Sequence, residues 1–361
     1  MTTVPDTGSD RRTALAALRE TRVLLDPALR ASVHELPAPV ARVASYHFGW
    51  TDRDGRPSDA PAGKALRPAL VLGCAAAVGG RPEDALAPAV AVELVHNFSL
   101  LHDDILDGDT TRRHRATAWT VFGTASALLA GDALLVHAGR VLTGQPGRLA
   151  TATGLRWLSE ATTRLIEGEQ TDISFEEREH VTLVECLAMT ERKTAALLAC
   201  ACALGALWAG GSADRTEALR RFGSHLGMAF QLADDLLGIW GDPAVTGKPA
   251  GADLASRKKS LPVVAALDSG TPAARRLAEA YGKGGPEPGP AGPAGRRAEG
   301  DPAETAHLAA LVEEAGGRAW AERAAEEELR LALECLAAAE PAPGAAESLA
   351  ALARLACHRD R

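Results

Sequence analysis

Two acidic segments interrupt otherwise apolar stretches of this 361-residue chain, and cations follow both of them. In the first, His96-Asn-Phe-Ser-Leu-Leu-His102-Asp103-Asp104-Ile-Leu-Asp107, the outer aspartates are four residues apart. On a helix that spacing sets two carboxylates on one face, roughly 5–6 Å from each other. Like charges so placed repel, and a divalent cation relieves the repulsion. Mg²⁺ suits the spacing, because it takes one or two carboxylates and completes its shell with water and phosphate oxygens. Arg112 and Arg113 come next, with Arg115 close behind, and planar guanidinium forks capture phosphate oxygens two at a time. A solvated acidic helix end or a surface arginine run explains either part alone; the two together describe a diphosphate site.

The second segment, Phe230-Gln231-Leu-Ala-Asp234-Asp235-Leu-Leu-Gly238, lies in an apolar helix where ionised groups are costly unless something binds them. Lys248 in a Gly-Lys-Pro turn and Lys258-Lys259 follow it, repeating the pattern of metal ligand and anion ligand. Gly63-Lys64-Ala-Leu-Arg67-Pro68 sets two cations three residues apart, on one face of the first turn of a predicted helix, where the N-terminal dipole also favours anions. Lys193-Thr194 stands among small apolar residues, a setting in which a lysine commonly reaches out to water.

The elements that position these residues read as helices. Breaker-poor 3.6-residue periodicity predicts helices over about 12–35, 38–48, 63–79, 83–107, 117–143, 148–173, 180–209, 213–239, 256–268 and 303–358. The chain is 46% hydrophobic but only 4% aromatic and rich in Ala and Leu, which favours an all-α fold. One domain over 1–361 is expected, with mobile loops near 50–63 and 282–302. A net charge of −8 argues against nucleic acid as a general partner, so any anion site must be local. The six cysteines form no CxxC pair and read as buried thiols of a reducing compartment. The charged N-terminus is unlike a secretion signal and no uninterrupted apolar run has transmembrane length, so a cytoplasmic protein is expected.

Taken in order, GKALRP, HNFSLLHDDILD with its RR, the KT of ERKTAAL, FQLADD, and GKP with KKSLP resemble the trans-isoprenyl diphosphate synthase (polyprenyl synthetase) family. The likeness runs over about residues 60–265. It implies an antiparallel helical bundle around a deep central cavity, with the Asp-rich helices facing each other at its mouth, usually in a homodimer. It further implies Mg²⁺, about three ions with substrate bound, on Asp103, Asp107 and Asp234, with Asp104 and Asp235 supporting them. Arg112, Lys193, Lys248 and Lys258 would hold the allylic diphosphate, and Lys64, Arg67, His96 and Arg113 the diphosphate of isopentenyl diphosphate. Ionisation of the allylic substrate, attack by the isopentenyl double bond and proton loss to the released diphosphate complete the implied reaction, with Thr194 and Gln231 oxygens beside the cation.

The sequence departs from the family pattern at Gly238, where many members carry a third Asp, at Glu169, where Gln is common, and at His114-Arg115-Ala116, where Gly, Lys and Pro are usual. Product length in this family depends on the residues four and five before the first motif, here Ser99 and Phe98. One aromatic and one small residue resemble a C20 (geranylgeranyl) synthase more than a C15 (farnesyl) one. A terpene cyclase on the same scaffold would not need the second diphosphate site, and a noncatalytic partner subunit would tend to lose its acidic motifs.

Overall fold

The computed structural model describes residues 7–58, 60, 63–144, 150–242, 251–282 and 301–357. Sixteen α-helices are formed among them: α1 (Thr7–His34), α2 (Ala38–His47), α3 (Leu66–Ala77), α4 (Leu86–Leu106), α5 (Ala118–Phe122), α6 (Thr124–Thr143), α7 (Ala150–Glu177), α8 (Leu183–Thr190), α9 (Ala196–Trp208), α10 (Ala213–Trp240), α11 (Ala252–Ala255), α12 (Leu261–Leu267), α13 (Pro272–Gly282), α14 (Pro302–Glu314), α15 (Gly317–Ala338) and α16 (Pro343–Cys357). The all-α expectation holds. The only paired strands among the described residues are a hairpin of two residues on each side, β1 (Thr111–Arg112) and β2 (Arg115–Ala116).

Helix ends differ from the periodicity in ways that local chemistry explains. The stretch 117–143 is two helices because Gly123, at φ +86°, turns the chain between α5 and α6. The long C-terminal stretch is three: Gly316 at φ +87° separates α14 from α15, and Glu340-Pro341 ends α15 before α16. The helix expected from residue 63 begins at Leu66, after Ala65 in the left-handed conformation. Lys64 therefore precedes the helix and does not share its first turn with Arg67. Helix α13 was not expected, because Pro272 and two arginines obscure its short apolar stripe. Between α8 and α9 the chain adopts one turn of π-helix over Glu191–Ala195, an irregularity frequent at functional sites.

The chain forms two compact units. The first comprises Met1–Glu160, Cys200–Arg220 and Cys335–Leu352. Its centre is α4, which packs most extensively on α6 and also against α1 and α3. Leu70, Leu94, Leu101 and Leu134 are fully buried there, each stabilising by roughly 1.5–3 kcal/mol relative to exposure. Residues 50–58, expected as a polar loop, form a compact turn: Trp50 stacks on Phe48, and the Asp52 carboxylate accepts from the backbone of Asp54 and Arg56, each at 2.9 Å. The second unit comprises Ala161–Ala199, Arg221–Glu334 and Ala353–Arg361. Phe175, Met189, Leu232, Leu261 and Val264 form one of its cores, and Leu254, Leu277, Leu308 and Val312 belong to another.

Two segments, Pro82–Leu106 and Thr124–Thr143, are long and apolar enough to cross a membrane. The first is 72% buried inside the protein, as a core helix is, whereas only 39% of the second is covered. All six cysteines are free thiols; Cys74, Cys186, Cys200 and Cys202 are buried, and Cys335 and Cys357 only partly so.

Candidate active site

In the first unit the acidic motif forms the last turn of α4. Asp107 caps the helix, its N–H donating to the Asp103 carbonyl at 2.8 Å, so the two residues stay in helical register. Both side chains are half-buried. Asp104 is different: it is buried, and Arg112 Nε donates to its Oδ1 at 2.6 Å. Burial raises the Asp104 carboxyl above its usual range, with Arg112 opposing the rise. Two half-buried carboxylates backed by a paired one are hard oxygen donors that fit Mg²⁺, which needs substrate and water for the rest of its shell. Among the described residues no three His, Cys, Asp or Glu side chains converge into a cage that would hold a metal by protein ligands alone.

The hairpin β1–β2 carries the arginines. Its two-residue loop is Arg113-His114, at φ +52° and +62°, and positive φ at both central residues is what such tight hairpin turns require. Arg113 turns inward against Gly63, where a Cβ would lie 2.5 Å from its Nη2. Arg115, read from the sequence with its neighbours, serves the fold instead. It donates to the carbonyls of Tyr46 and Thr51 at 3.1 and 3.0 Å and lies 4.3 Å over the Tyr46 ring. These contacts tie the hairpin to α2 and to the turn that follows it.

Facing the hairpin, Arg67 Nη1 donates to His96 Nε2 at 3.1 Å. His96 is held well below its ordinary range by burial and then by Arg67, Arg113 and Arg112, so it is a neutral acceptor on Nε2. Sequence reasoning missed His47, at the end of α2, which lines a small recess with Asp104, Arg112, Arg113 and Arg115. Burial, then Arg113 and Arg112, depress it to about 3. It also missed Glu93, one turn before His96, which accepts from Asn97 Nδ2 at 3.0 Å and is raised by burial against the pull of Arg67. A carboxylate in an apolar helical stretch, one turn before a histidine, was the available signal for Glu93; nothing in the sequence marked His47. Burial first, and then the neighbouring arginines, keep both histidines neutral, so neither adds a positive charge to the cluster.

His47 makes a stability prediction. Its folded value lies below the usual 6.5, so the unfolded chain takes up the extra proton and stability falls as pH drops from about 6.5 toward 3. His47→Gln is expected to remove up to ~1.4 kcal/mol per pH unit from that slope. Urea unfolding at about pH 7.5 and pH 5 checks it; equal slopes for both proteins would refute the assignment.

In the second unit the π-turn presents Lys193 and Thr194. The close approach of α7 and α10 depends on glycine: a Cβ on Gly168 would lie 2.4 Å from the Lys193 nitrogen, and one on Gly227 2.4 Å from the Ala195 Cα. Lys193 does not simply reach for water, as a lone lysine would. Its Nζ bridges Asp172 Oδ2 at 2.6 Å and Glu169 Oε2 at 2.7 Å. Thr194 Oγ1 donates to Gln231 Oε1 at 2.8 Å, Gln231 Nε2 donates to Asp235 Oδ1 at 2.8 Å, and the Leu261 N–H donates to Asp235 Oδ2 at 3.0 Å. Asp235 is buried, and burial pushes it up to about 6 despite Lys258, whereas Asp234 is exposed on α10. Burial alone would lower Lys258, but Asp253, Asp235, Asp172 and Asp234 outweigh it and hold the ammonium charged. Lys259 turns elsewhere, donating to the Phe175 carbonyl at 2.6 Å. Lys248 lies outside the described residues.

The two residues expected from the sequence to set chain length, Phe98 and Ser99, lie in the first unit. Phe98 is buried, and its ring meets that of His102 edge-on at 4.8 Å. His102 in turn packs on α6, with Nε2 3.1 Å from the Leu128 carbonyl and directly over Gly131. Ser99 Oγ donates to the His96 carbonyl at 2.9 Å.

The family model described as Polyprenyl synthetase matches residues 58–289. The chain belongs to the polyprenyl synthetase family. It is 47% identical over 317 residues to "(2E,6E)-farnesyl diphosphate synthase" of Mycobacterium tuberculosis, covering 88% of this chain and 85% of the relative. It is 44% identical over 345 residues to "Geranylgeranyl diphosphate synthase" of the same species, covering 96% and 94%. A crystal structure of polyprenyl synthetase from Streptomyces coelicolor A3(2) superimposes with a TM-score of 0.87 at 46% identity, covering 95% of this chain and 99% of that one. This polyprenyl synthetase is thus an all-α trans-prenyltransferase of the isoprenyl diphosphate synthase type. Relatives making C15 and C20 products are nearly equidistant from it.

Proposed function

We propose that this polyprenyl synthetase condenses isopentenyl diphosphate with an allylic diphosphate, head to tail, to give a C20 all-trans diphosphate and free diphosphate. The observation that carries the reading is the crowding of Arg67, Arg112 and Arg113 around neutral His96, beside half-buried Asp103 and Asp107. A second diphosphate site of this kind favours condensation over cyclisation of one substrate, and retention of both acidic motifs favours a catalytic chain over an inactive partner subunit.

Asp103, Asp107 and exposed Asp234 would hold Mg²⁺, about three ions with substrate bound. Bound there, the metal neutralises charge developing on the departing diphosphate. Arg112, oriented by Asp104, would grip the allylic diphosphate together with Lys193, Lys248 and Lys258. Lys64, Arg67, His96 and Arg113 would grip the isopentenyl diphosphate. The Thr194–Gln231–Asp235 chain holds the Gln231 oxygen in place, and that oxygen and Thr194 Oγ1 would face the allylic cation with their lone pairs. Apolar walls would exclude water from the cation.

The protein is proposed to work as one catalytic domain over residues 1–361, in the cytoplasm, as a homodimer. Support for the dimer is the outer face of α6, where Leu128, Leu129 and Val136 are 44%, 59% and 68% exposed at helical spacing. Charges within both long apolar helices, Glu93, Asp103 and Asp104 in α4 and Asp132 and Arg140 in α6, support a protein outside the bilayer.

Purified protein incubated with Mg²⁺, labelled isopentenyl diphosphate and dimethylallyl, geranyl or farnesyl diphosphate in turn tests the reading. Dephosphorylated C20 alcohol is expected. A stop at C15 would overturn the product length and keep the reaction, and no incorporation with any primer would overturn both. If the Phe98 ring is the floor, Phe98→Ala shifts the main product to longer chains by at least one five-carbon unit. An unchanged product distribution would remove Phe98 from that role.

A further inference from the structure

The recess beside Arg112 holds two acceptors with nothing to accept from. Asp104 is 1% exposed; its Oδ1 accepts from Arg112 Nε, but its Oδ2 is buried with no hydrogen-bond partner among the described residues. His47 Nε2 is likewise buried and without a partner, so the two side chains are not bonded to each other directly. Both line the same recess, with Arg112, Arg113 and Arg115 around them. Buried polar atoms in folded proteins are nearly always satisfied, and two on one recess call for a common partner.

Asn97 fixes what that partner must be. It is buried on α4 and directs its Nδ2 hydrogens to the Glu93 carbonyl at 2.8 Å and to Glu93 Oε1 at 3.0 Å. Only its oxygen remains for the hydrogen bond it shares with His47, so the imidazole donates there, and the bond accordingly raises His47 against burial. A neutral imidazole has one N–H. With Nε2 unpartnered, the hydrogen facing Asn97 is on Nδ1, and Nε2 is a bare lone pair.

Two acceptors need a molecule with two hydrogens to give. A second lone pair facing them disfavours an anion, and the three arginines disfavour a cation. Water meets the requirement. The recess offers about 20 Å³ to the centres of water-sized molecules, and one water needs roughly 10–15 Å³. The rise along α4 from Asn97 to Asp104, seven residues or roughly 10 Å, matches an imidazole and one water linked in series by three hydrogen bonds of about 2.8–3.0 Å.

We propose that one ordered water donates its two hydrogens to His47 Nε2 and Asp104 Oδ2, and that His47 is thereby a positioning residue for Arg112 and the allylic diphosphate. The proposal rests on the assignment of Arg112 to that diphosphate under the proposed function. With Oδ1 on Arg112 and Oδ2 on the water, the Asp104 carboxylate is held against rotation, and Arg112, gripped by Nε, turns its terminal nitrogens to the anion. His47 lies outside residues 58–289 matched by the family model, so helix α2 contributes to the site from beyond the shared motifs.

A crystal structure of the full-length wild type that resolves ordered solvent tests the bridge. A solvent peak within about 2.6–3.2 Å of both atoms is expected. Clear density with no peak there, or an arginine nitrogen bonded to either atom in its place, overturns the proposal.

Steady-state kinetics test the positioning role. His47→Leu keeps the bulk of the side chain but cannot accept, and KM for the allylic diphosphate is expected to rise about tenfold. KM for isopentenyl diphosphate and kcat are expected to stay within about threefold, since Asp104 and Arg112 lie on the allylic side. His47→Gln sets an amide oxygen within reach of the water and should bring the allylic KM back to within about threefold of wild type. In an Asp104→Asn background, His47→Leu should add less than about threefold, because the link is already altered. An unchanged allylic KM in His47→Leu, an equal rise in both KM values, or no recovery with glutamine overturns the role. Melting temperatures show which variants fold, and the wild-type density and His47→Gln still decide if His47→Leu does not. Absence of prenyl transfer by the wild type removes the underlying reading and the positioning role with it, while the solvent peak decides the bridge independently.

Discussion

Asp103→Ala is expected to lower kcat/KM for the condensation by about a thousandfold or more while leaving the fold intact. The residue lies in the last turn of α4 and is half-buried. What it offers is charge. A carboxylate that holds Mg²⁺ against the departing diphosphate acts mainly in the transition state, where losing one electrostatic stabiliser costs about 10²–10³ in rate and a shared metal costs more. Asp107→Ala should behave alike, and the double variant should be much less than the product of the two, since both act through one site. Raised Mg²⁺ should partly restore the single variants. Asp104→Asn separates a ligand from its support: this carboxylate is buried and holds Arg112 Nε at 2.6 Å, so its loss should raise KM for the allylic substrate and lower stability. Steady-state kinetics with far-ultraviolet circular dichroism decide the matter. An Asp103→Ala enzyme within tenfold of wild type would remove Asp103 from the metal site.

Lys193→Ala is the second large expectation, and it acts on stability and binding together. The ammonium lies between Asp172 and Glu169, whose side chains are only 17% and 12% exposed. Removing one partner of a buried ion pair costs about 3–5 kcal/mol because the other charge is left uncompensated. These groups are partly solvated, and a loss of about 2–3 kcal/mol is expected here. Adding Glu169→Gln should return about 1 kcal/mol by removing one of the two stranded charges. The binding effect should not recover: KM for the allylic diphosphate should rise at least about tenfold in both variants if Lys193 grips that anion. Glu169→Gln alone should be mild, since Asp172 still pairs the lysine. Equilibrium unfolding and KM measured on the same preparations separate the two effects. A Lys193→Ala protein as stable as wild type would show that the network carries no net energy, and an unchanged KM would show that the lysine does not touch substrate.

The residues differ in how openly they announce themselves. Asp103 and Asp107 were legible because a helix repeats every 3.6 residues, so four-residue spacing alone puts both on one face. The different fates of neighbours Asp103 and Asp104, or Asp234 and Asp235, were not. In each pair one carboxylate faces outward and the other inward, and which partner waits inside is decided by distant chain: Arg112 on a hairpin for Asp104, the Leu261 N–H and Gln231 for Asp235. Periodicity also misplaced Lys64, because the left-handed turn at Ala65 is a backbone choice that an alanine does not advertise.

By itself, then, the amino-acid order determined the helical class, the two acidic motifs, the cations that follow them and the likeness to polyprenyl synthetases, all of which depend on residue type and short-range spacing. Only the tertiary structure decided that Arg115 is a clamp, that His47 and Glu93 join the cationic cluster, that Lys193 is paired, and that the Asp253 carboxylate lies beside Gly238. Gly238 and Asp253 are fifteen positions apart, with a stretch between them whose course no local propensity dictates. Spacing along a helix is a local property of the chain. Which carboxylate is buried, and beside which cation, is set by packing between elements, and burial and charge proximity are what tune each group for its chemistry.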